Sequence, residues 1–366
     1  MDTSKKILES LDPEEVCYGV IDLVQGFHQV PVAEESKDLL TIILPQGKYR
    51  FASLPQGLVC STDYFNLCSD PLIRNQPGFK KNVDDILTSA KDIRQLEERL
   101  KKLLTICRKR NMKIAPSKFQ VGSSVIFGGT VIEAVNKKGD PNRTVFLSPT
   151  KDKLEAFLNF PTPSCRKDIQ SIMGAAAQLK RWTPGLMLIS PNLQKLTGAN
   201  TPFHWNEGLQ QELDEMKDAL REHVKLTPLD VTKDLLVWTD AAPSEGMAYI
   251  LAQWKDPTDE SKGVDIISCD STTFKRGKRS LSPFEAEVFG VWWAVTKEHY
   301  YTRGAPKIVI MNDAKSMAGF IASDLEKVEN TRAQAMLEEL QPYNLEVKHV
   351  PGPVSYTHLT LPTMAI

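Results

Sequence analysis

No Cys-x-x-Cys pair occurs in the chain. The six cysteines stand apart, at positions 17, 60, 68, 107, 165 and 269. That scatter suggests neither a zinc site nor a disulfide framework, and a reducing compartment is the default. Long apolar runs are missing too: none approaches the ~20 residues that a membrane span needs. The N-terminus is polar rather than signal-like. A dominant charge is also absent, the formal net charge being -1. No global basic field announces nucleic acid, but local basic surfaces suffice for binding one, so neutrality excludes little. What remains is ordinary for a soluble globular protein, with 41% hydrophobic and 25% charged residues. A length of 366 residues leaves room for two or three domains.

Against that background one short stretch stands out, Asn82-Val83-Asp84-Asp85. Two adjacent carboxylates lie between a basic lead-in, Phe79-Lys80-Lys81, and an apolar exit, Ile86-Leu87. Neighbouring side chains point to opposite faces of a regular strand. Both acids serve one site only at a tight turn, so the expected form is a β-hairpin with the pair at its tip. Carboxylates held close repel one another unless a cation sits between them. An exposed Asp-Asp turn is the bland alternative. A third acid weighs against it: Asp22 ends the apolar run Gly19-Val20-Ile21 and precedes a Gly-containing bend, Gln25-Gly26. Three carboxylates from two strands can hold a pair of Mg²⁺ ions, which take oxygen ligands. Two such ions ~4 Å apart serve phosphoryl transfer.

From Ile21 to about Ile132 the order and spacing of motifs resemble the reverse transcriptase of Gypsy-type LTR retrotransposons. Ile21-Asp22-Leu23 through Phe27-His28-Gln29 resembles polymerase motif A. Leu54-Pro55-Gln56-Gly57-Leu58 resembles motif B, and Val83-Asp84-Asp85 motif C. Lys113 to Lys118 sits where motif D falls, and Phe127-Gly128-Gly129 where the primer grip falls. The resemblance implies that Asp22, Asp84 and Asp85 are catalytic metal ligands. It makes Phe27 a steric gate against a 2′-hydroxyl, with a core aromatic as the alternative. Gln56 and Gly57 would contact the templating pair, and Lys118 would act near the pyrophosphate leaving group. One departure is Asn82, where the family usually has Tyr.

The rest of the first half reads as ordinary elements. Lys5 to Leu11 is expected to be a helix. Leu39–Leu44 and Tyr49–Ser53 are expected to form a hairpin. Ser61 to Ile73 reads as a helix with Tyr64, Phe65, Leu67, Cys68 and Leu72 inward. Ile93 to Met112 is amphipathic, with Leu96, Leu100, Leu103, Leu104 and Cys107 as its apolar stripe and a basic opposite face. By resemblance the chain starts late in the fingers region, so it reads as part of a longer polyprotein. Residues 148 to 232 are mostly helical: Lys151 to Phe160, Arg166 to Leu179 and Leu209 to His223. They resemble the thumb and connection. Arg166, Lys167, Lys180 and Arg181 could touch phosphates, a sequence-independent contact.

From about 233 the pattern changes to strands. Leu235 to Thr239 ends at Asp240, with Tyr249 to Trp254 as a partner strand. Ser282-Pro283-Phe284-Glu285 has the form of a capping box opening a helix to Tyr300, which leaves Glu287 for other work. Lys307 to Met311 is an apolar strand ending at Asn312-Asp313. Strand-end acid, helix acid and strand-end acid are again a metal-site arrangement. They resemble the RNase H domain joined to these polymerases, with Asp240, Glu287 and Asp313 at matching positions. The implied role is metal-activated hydrolysis of RNA in an RNA–DNA hybrid, recognised through 2′-hydroxyls. Lys275 to Arg279 is a basic loop that either lies on the hybrid backbone or is merely solvated. The family's fourth acid, expected after His349-Val350-Pro351-Gly352, does not follow. Residues 354 to 366 read as adaptor-derived sequence, with a divergent authentic tail as the alternative.

The expected fold class is therefore multidomain α+β and α/β. Partial fingers and palm (1–145) lead to a helical thumb and connection (146–232). An RNase H-like mixed-sheet domain (233–353) and an unrelated tail (354–366) follow. The resemblance implies an RNA-directed DNA polymerase with RNase H activity, using two Mg²⁺ per site or Mn²⁺ in their place. Its partners would be RNA template, DNA primer, RNA–DNA hybrid, dNTPs and other retroelement polyprotein products, with no membrane. It would be cytoplasmic, in virus-like particles, with nuclear access. A catalytically inactive nucleic-acid-binding remnant and a nuclease without polymerase activity are the competing readings.

Overall fold

The computed structural model describes residues 4–74, 76–136, 143–243, 246–274 and 281–350. The basic loop at 275–279, the Pro351-Gly352 bend and the 354–366 tail lie outside them. The chain divides into two compact units, 1–147 and 148–366. The helical segment expected as thumb and connection falls within the second.

In the first unit the described elements run α1 (Ser4–Glu9), β1 (Cys17–Asp22), β2 (Thr41–Leu44), β3 (Gly47–Arg50), α2 (Ser61–Ser69), β4 (Phe79–Asn82), β5 (Asp85–Ala90), α3 (Ile93–Lys109), β6 (Gln120–Gly122), β7 (Ser124–Phe127), β8 (Thr130–Asn136) and β9 (Arg143–Pro149). The central sheet has the order β4-β5-β1-β6, with β1 antiparallel to both of its neighbours. Helix α3 starts because the Asp92 side chain accepts from the Gln95 N–H. Its Leu96, Leu100, Leu103 and Cys107 are buried in one cluster with Ile21, Leu23 and Ile86 of the sheet. Each buried leucine contributes about 1.5–3 kcal/mol. Leu104, expected in the stripe, is 37% exposed.

Helix α2 departs from the expected inward face. Phe65 and Leu72 are fully buried, but Tyr64 is 57% and Leu67 69% exposed, and Cys68 is exposed as well. The buried turn-to-turn positions are instead Ser61, Phe65 and Ser69. Their hydroxyls are satisfied locally: Ser61 Oγ donates to Pro55 O at 2.7 Å and Ser69 Oγ to Phe65 O at 2.8 Å. A serine so bonded can be buried without an unpaired group. A reading based on apolar residues alone chooses the wrong face. The β2–β3 hairpin forms, but β2 is shorter than expected and β3 lies at Gly47–Arg50 rather than Tyr49–Ser53; all eight strand residues are exposed.

The second unit opens with helices α4 (Lys151–Leu158), α5 (Arg166–Leu179), α6 (Pro191–Leu196) and α7 (Glu207–Arg221). Then come β10 (Leu235–Ala242), β11 (Gly246–Trp254), β12 (Val264–Thr273), α8 (Pro283–Lys297), α9 (His299–Thr302), β13 (Ile308–Asn312), α10 (Ser316–Ile321), α11 (Thr331–Leu340) and β14 (Leu345–His349). The five strands are ordered β12-β11-β10-β13-β14. The first three form an antiparallel meander, and β10, β13 and β14 are parallel. Helix α8 lies on the connection from edge strand β12 to β13, and its Val288, Val291 and Val295 enter the sheet's core.

A short 3-10 turn after α5 ties the helices to this sheet. Cys269 Sγ lies 3.0 Å from Arg181 O, and Lys180 Nζ lies 2.8 Å from Asp270 Oδ1. Lys297 of α8 grips the other oxygen of Asp270. Edge strand β12 is thereby covered rather than left as an open pairing edge.

Two candidate carboxylate sites

In the first unit the acids meet as the spacing suggests. Asp22 is the last residue of β1 and stands opposite Asp85, the first of β5. Asn82 and Asp85 close a hairpin whose loop is Val83-Asp84. Asp84 O accepts from Leu23 N–H at 3.0 Å, which fastens the hairpin tip to the end of β1. On the other side of β1, Asp22 O accepts from Ala115 N–H at 2.8 Å. Asp22 is thus framed by backbone on both flanks. Gln29 reinforces that frame. Its side chain donates to Val24 O and Lys113 O and accepts from Lys113 N–H, at 2.6, 2.9 and 2.6 Å.

The electrostatics follow from crowding. Burial, then Asp84 and then Asp22 push the Asp85 carboxyl up to about 6, while Lys118 pulls it down. Asp22 and Asp85 are within side-chain hydrogen-bonding reach of each other. Lys118 Nζ stands 2.9 Å from Asp22 Oδ2 and is the cation beside the set. Its own pKa is raised, chiefly by that hydrogen bond.

The substrate-side residues divide. Phe27 is half-buried, its ring 5.1 Å from that of Phe65. A Cβ on the preceding Gly26 would come within 2.7 Å of Phe65 and 3.4 Å of the Asp84 Cβ, so glycine is required where aromatic and acid converge. Gln56 and Gly57 are exposed and lie in a loop. Gly57 has a φ of 94°, which glycine adopts without strain. Asn82 donates to Ser4 Oγ at 2.6 Å, a bond from the hairpin to α1. Phe127 is buried, and Gly128 and Gly129 take φ of 55° and 73°. Positive φ at both loop positions suits a two-residue hairpin.

In the second unit Asp240 lies near the end of β10, Glu287 on the first turns of α8, and Asp313 just after β13. The capping box forms: Ser282 accepts from Glu285 N–H and Glu285 reaches back to Ser282 N–H. Glu287 is free to face the sheet. Asn312, completely buried, donates through Nδ2 to Glu287 Oε2 at 2.8 Å and to Thr239 Oγ1 at 3.2 Å. Its Oδ1 accepts from Ala314 N–H at 2.8 Å. Burial raises the Glu287 pKa to about 7. Asn312 and the Ala241 N–H oppose that rise, and Asp313 and Asp240 add to it. Gly290 lets α8 approach the sheet: its Cβ would lie 3.4 Å from that of Ala241.

Sequence reading missed Lys81 and Asn312. Lys81 looks like part of a solvated basic run, and Asn312 like a strand end. Their buried positions were the informative signal, and burial depends on the fold. Among the described residues no three His, Cys, Asp or Glu side chains already stand in an ion-holding arrangement. The donor chemistry nevertheless fits a hard divalent cation. Each set is all carboxylate, and each holds one acid whose pKa is raised by its acidic neighbours as well as by burial.

Two acid sets on two separate sheets are what a polymerase palm joined to an RNase H-like domain presents. The chain carries a reverse transcriptase domain and an RNase H-like domain, the pair found in retroelement Pol polyproteins. Residues 3–153 match the family of reverse transcriptases (RNA-dependent DNA polymerases), and residues 230–343 match the RNase H-like domain found in reverse transcriptase. Within the class the similarity is to Gypsy-type elements. The chain is 24% identical to the Pol polyprotein of the Drosophila melanogaster transposon gypsy, over 92% of this chain and 32% of the polyprotein. It is 25% identical to that of transposon opus, over 92% and 33%. The Koala retrovirus Gag-Pol polyprotein is 25% identical over 72% of this chain and 16% of its own length. The chain thus spans about a third of the transposon relatives named here. In fold it resembles the foamy viral protease-reverse transcriptase bound to RNA/DNA hybrid. That match has a TM-score of 0.76 and 21% identity, and it covers 96% of this chain and 46% of that one. The same viral protein bound to double-stranded DNA gives 0.77, at 96% and 71% coverage. No helix among the described residues is long and apolar enough to cross a membrane.

Proposed function

We propose that the chain extends a DNA primer on an RNA template at Asp22, Asp84 and Asp85. It would cut the RNA strand of the resulting hybrid at Asp240, Glu287 and Asp313. The observation that carries the reading is the pairing of Asp22 with Asp85 across β1 and β5, with Asp84 fastened to the same strand end. Each set would hold a pair of Mg²⁺ ions, with Mn²⁺ as a substitute. When bound, the ions supply activation of the attacking oxygen and stabilisation of the leaving one.

The chain's own residues do the rest. The backbone on both sides of β1 holds Asp22 in place. Phe27, packed at a tilt against Phe65, sets a wall at the sugar of the incoming dNTP. Gln56 and Gly57 present an exposed loop to the templating pair. Lys118 exchanges Asp22 for the phosphates of the nucleotide and holds a proton for the pyrophosphate. In the second unit Asn312 and the Ala241 N–H hold the Glu287 carboxylate in place. Template, primer, hybrid and dNTPs are the partners this reading requires, with other products of the same polyprotein nearby in cytoplasmic virus-like particles.

The test is primer extension on poly(rA)–oligo(dT) with Mg²⁺. Incorporation by the chain, lost in Asp84→Asn with the fold retained, is the expected result. Extension that survives Asp84→Asn defeats the reading. The competing reading is an inactive nucleic-acid-binding remnant. Hybrid binding without incorporation would establish that competitor.

A further inference from the structure

The loop that carries Asp84 has a backbone problem. Val83 takes a φ of 55°. A β-branched residue in the left-handed region is a genuine outlier, and glycine ordinarily fills that loop position in a two-residue hairpin. Such strain persists only where the surroundings over-determine it.

Lys81 supplies that constraint. Strand alternation sends Lys80 outward and Lys81 inward, toward α2. The Lys81 side chain is 3% exposed. Its Nζ lies 2.6 Å from Asn66 Oδ1, 2.9 Å from Ser69 Oγ and 3.0 Å from Asp70 Oδ1. Ser69 Oγ spends its proton on Phe65 O and so is free to accept. Val83 O, at 3.2 Å from the same Nζ, is a fourth acceptor and shares one of its three protons. The Nζ also stands 5.6 Å from the centre of the Phe65 ring, the ring on which Phe27 packs. Both carbonyls of the loop are therefore held, Val83 O by the buried ammonium and Asp84 O by the Leu23 N–H. A lysine that served only as a helix tie would not need the Val83 contact.

We propose that Lys81 is a positioning residue of the polymerase site. It anchors the strained Val83–Asp84 loop to α2, so that the acids and the aromatic beside them share one support. This rests on the polymerase reading given above.

The test has two arms. Amide hydrogen exchange reads the anchor whether or not the chain polymerises. In Lys81→Met, amides of residues 82–86 and Leu23 should exchange roughly tenfold faster, with α3 unchanged. Unchanged exchange at the loop overturns the proposal. In primer extension the same variant should lose roughly 10–100-fold in kcat, as expected for small misplacement of reacting groups, with KM for primer–template unchanged. A rise in KM alone overturns the positioning role. Glycine adopts the φ of Val83 without steric penalty. Adding Val83→Gly to Lys81→Met should therefore restore slow exchange and part of kcat. Losses that simply add overturn the proposal. Should Lys81→Met fail to fold, Asp70→Asn loosens the ammonium from a half-exposed partner and is held to the same exchange criterion. If the wild-type chain does not extend primer at all, the polymerase reading fails, and hydrogen exchange still decides the anchor.

Discussion

The two carboxylate sets solve one problem in different ways. Both crowd acids where burial disfavours charge. The first set keeps a mobile cation at hand: Lys118, 65% exposed at its side chain, reaches Asp22 from the surface. The second set uses neutral donors fixed in the fold, the Asn312 amide and the Ala241 N–H, on Glu287. A flexible lysine can leave when a phosphate arrives. A buried asparagine bonded on three sides cannot. The first site can thus exchange its cation with an arriving anion, whereas the second keeps its carboxylate aimed by the fold.

The strongest way to break this comparison is to exchange the losses. Asp84→Asn should lower extension by about 10³-fold or more and leave hybrid cleavage intact, and Glu287→Gln should do the reverse. If either variant loses both activities, the two sites are not independent. Lys118→Met comes next. Extension should fall roughly 10–100-fold if the lysine acts near the leaving group. Removing its charge also leaves Asp85 protonated to higher pH, so the acid limb of the pH–rate profile should move upward. A profile that stays put would separate Lys118 from the carboxylates.

Asn312→Ala should lower hybrid cleavage about 10–100-fold, the usual effect of losing a group that orients a metal-site ligand, with extension unchanged. The smallest effect is on stability against pH. Asp85 and Glu287 both have folded-state pKa values raised above their unfolded ones. The native state then binds more protons, and stability falls as pH rises from 3.8 to about 6 for Asp85 and from 4.5 to about 7 for Glu287. Melting temperatures across pH 4–8 without divalent cation should show this decline, weakened at its lower end by Asp85→Asn. Mg²⁺ binds the ionised forms, so its stabilising effect should grow over the same window. A Mg²⁺ effect independent of pH would disconnect these acids from the ion.

Much of this was legible in order and spacing. Asp84-Asp85 between a polar lead-in and an apolar exit specifies a hairpin tip. An apolar run ending at Asp22 specifies a strand end. The capping pair Ser282 and Glu285 leaves Glu287 to turn inward. These are local matters, settled by strand alternation, turn geometry and helix capping within a few residues. The family motifs were equally visible because their chemistry needs particular residue types at particular intervals.

What tertiary structure alone decided is which polar residues are buried. Ser61 and Ser69 displace Tyr64 and Leu67 from the inner face of α2 because nearby carbonyls satisfy their hydroxyls. Lys81, one of two adjacent lysines, goes inward because Asn66, Ser69 and Asp70 come to meet it from another element. Asn312 comes to hold the Glu287 carboxylate because α8 packs against the strand end that carries it. The placement of α5 and its following turn on β12 has the same origin: Asp270 finds Lys180 from far along the chain. The value of a polar side chain depends on partners that only folding brings near, and no local rule reads them from the sequence alone.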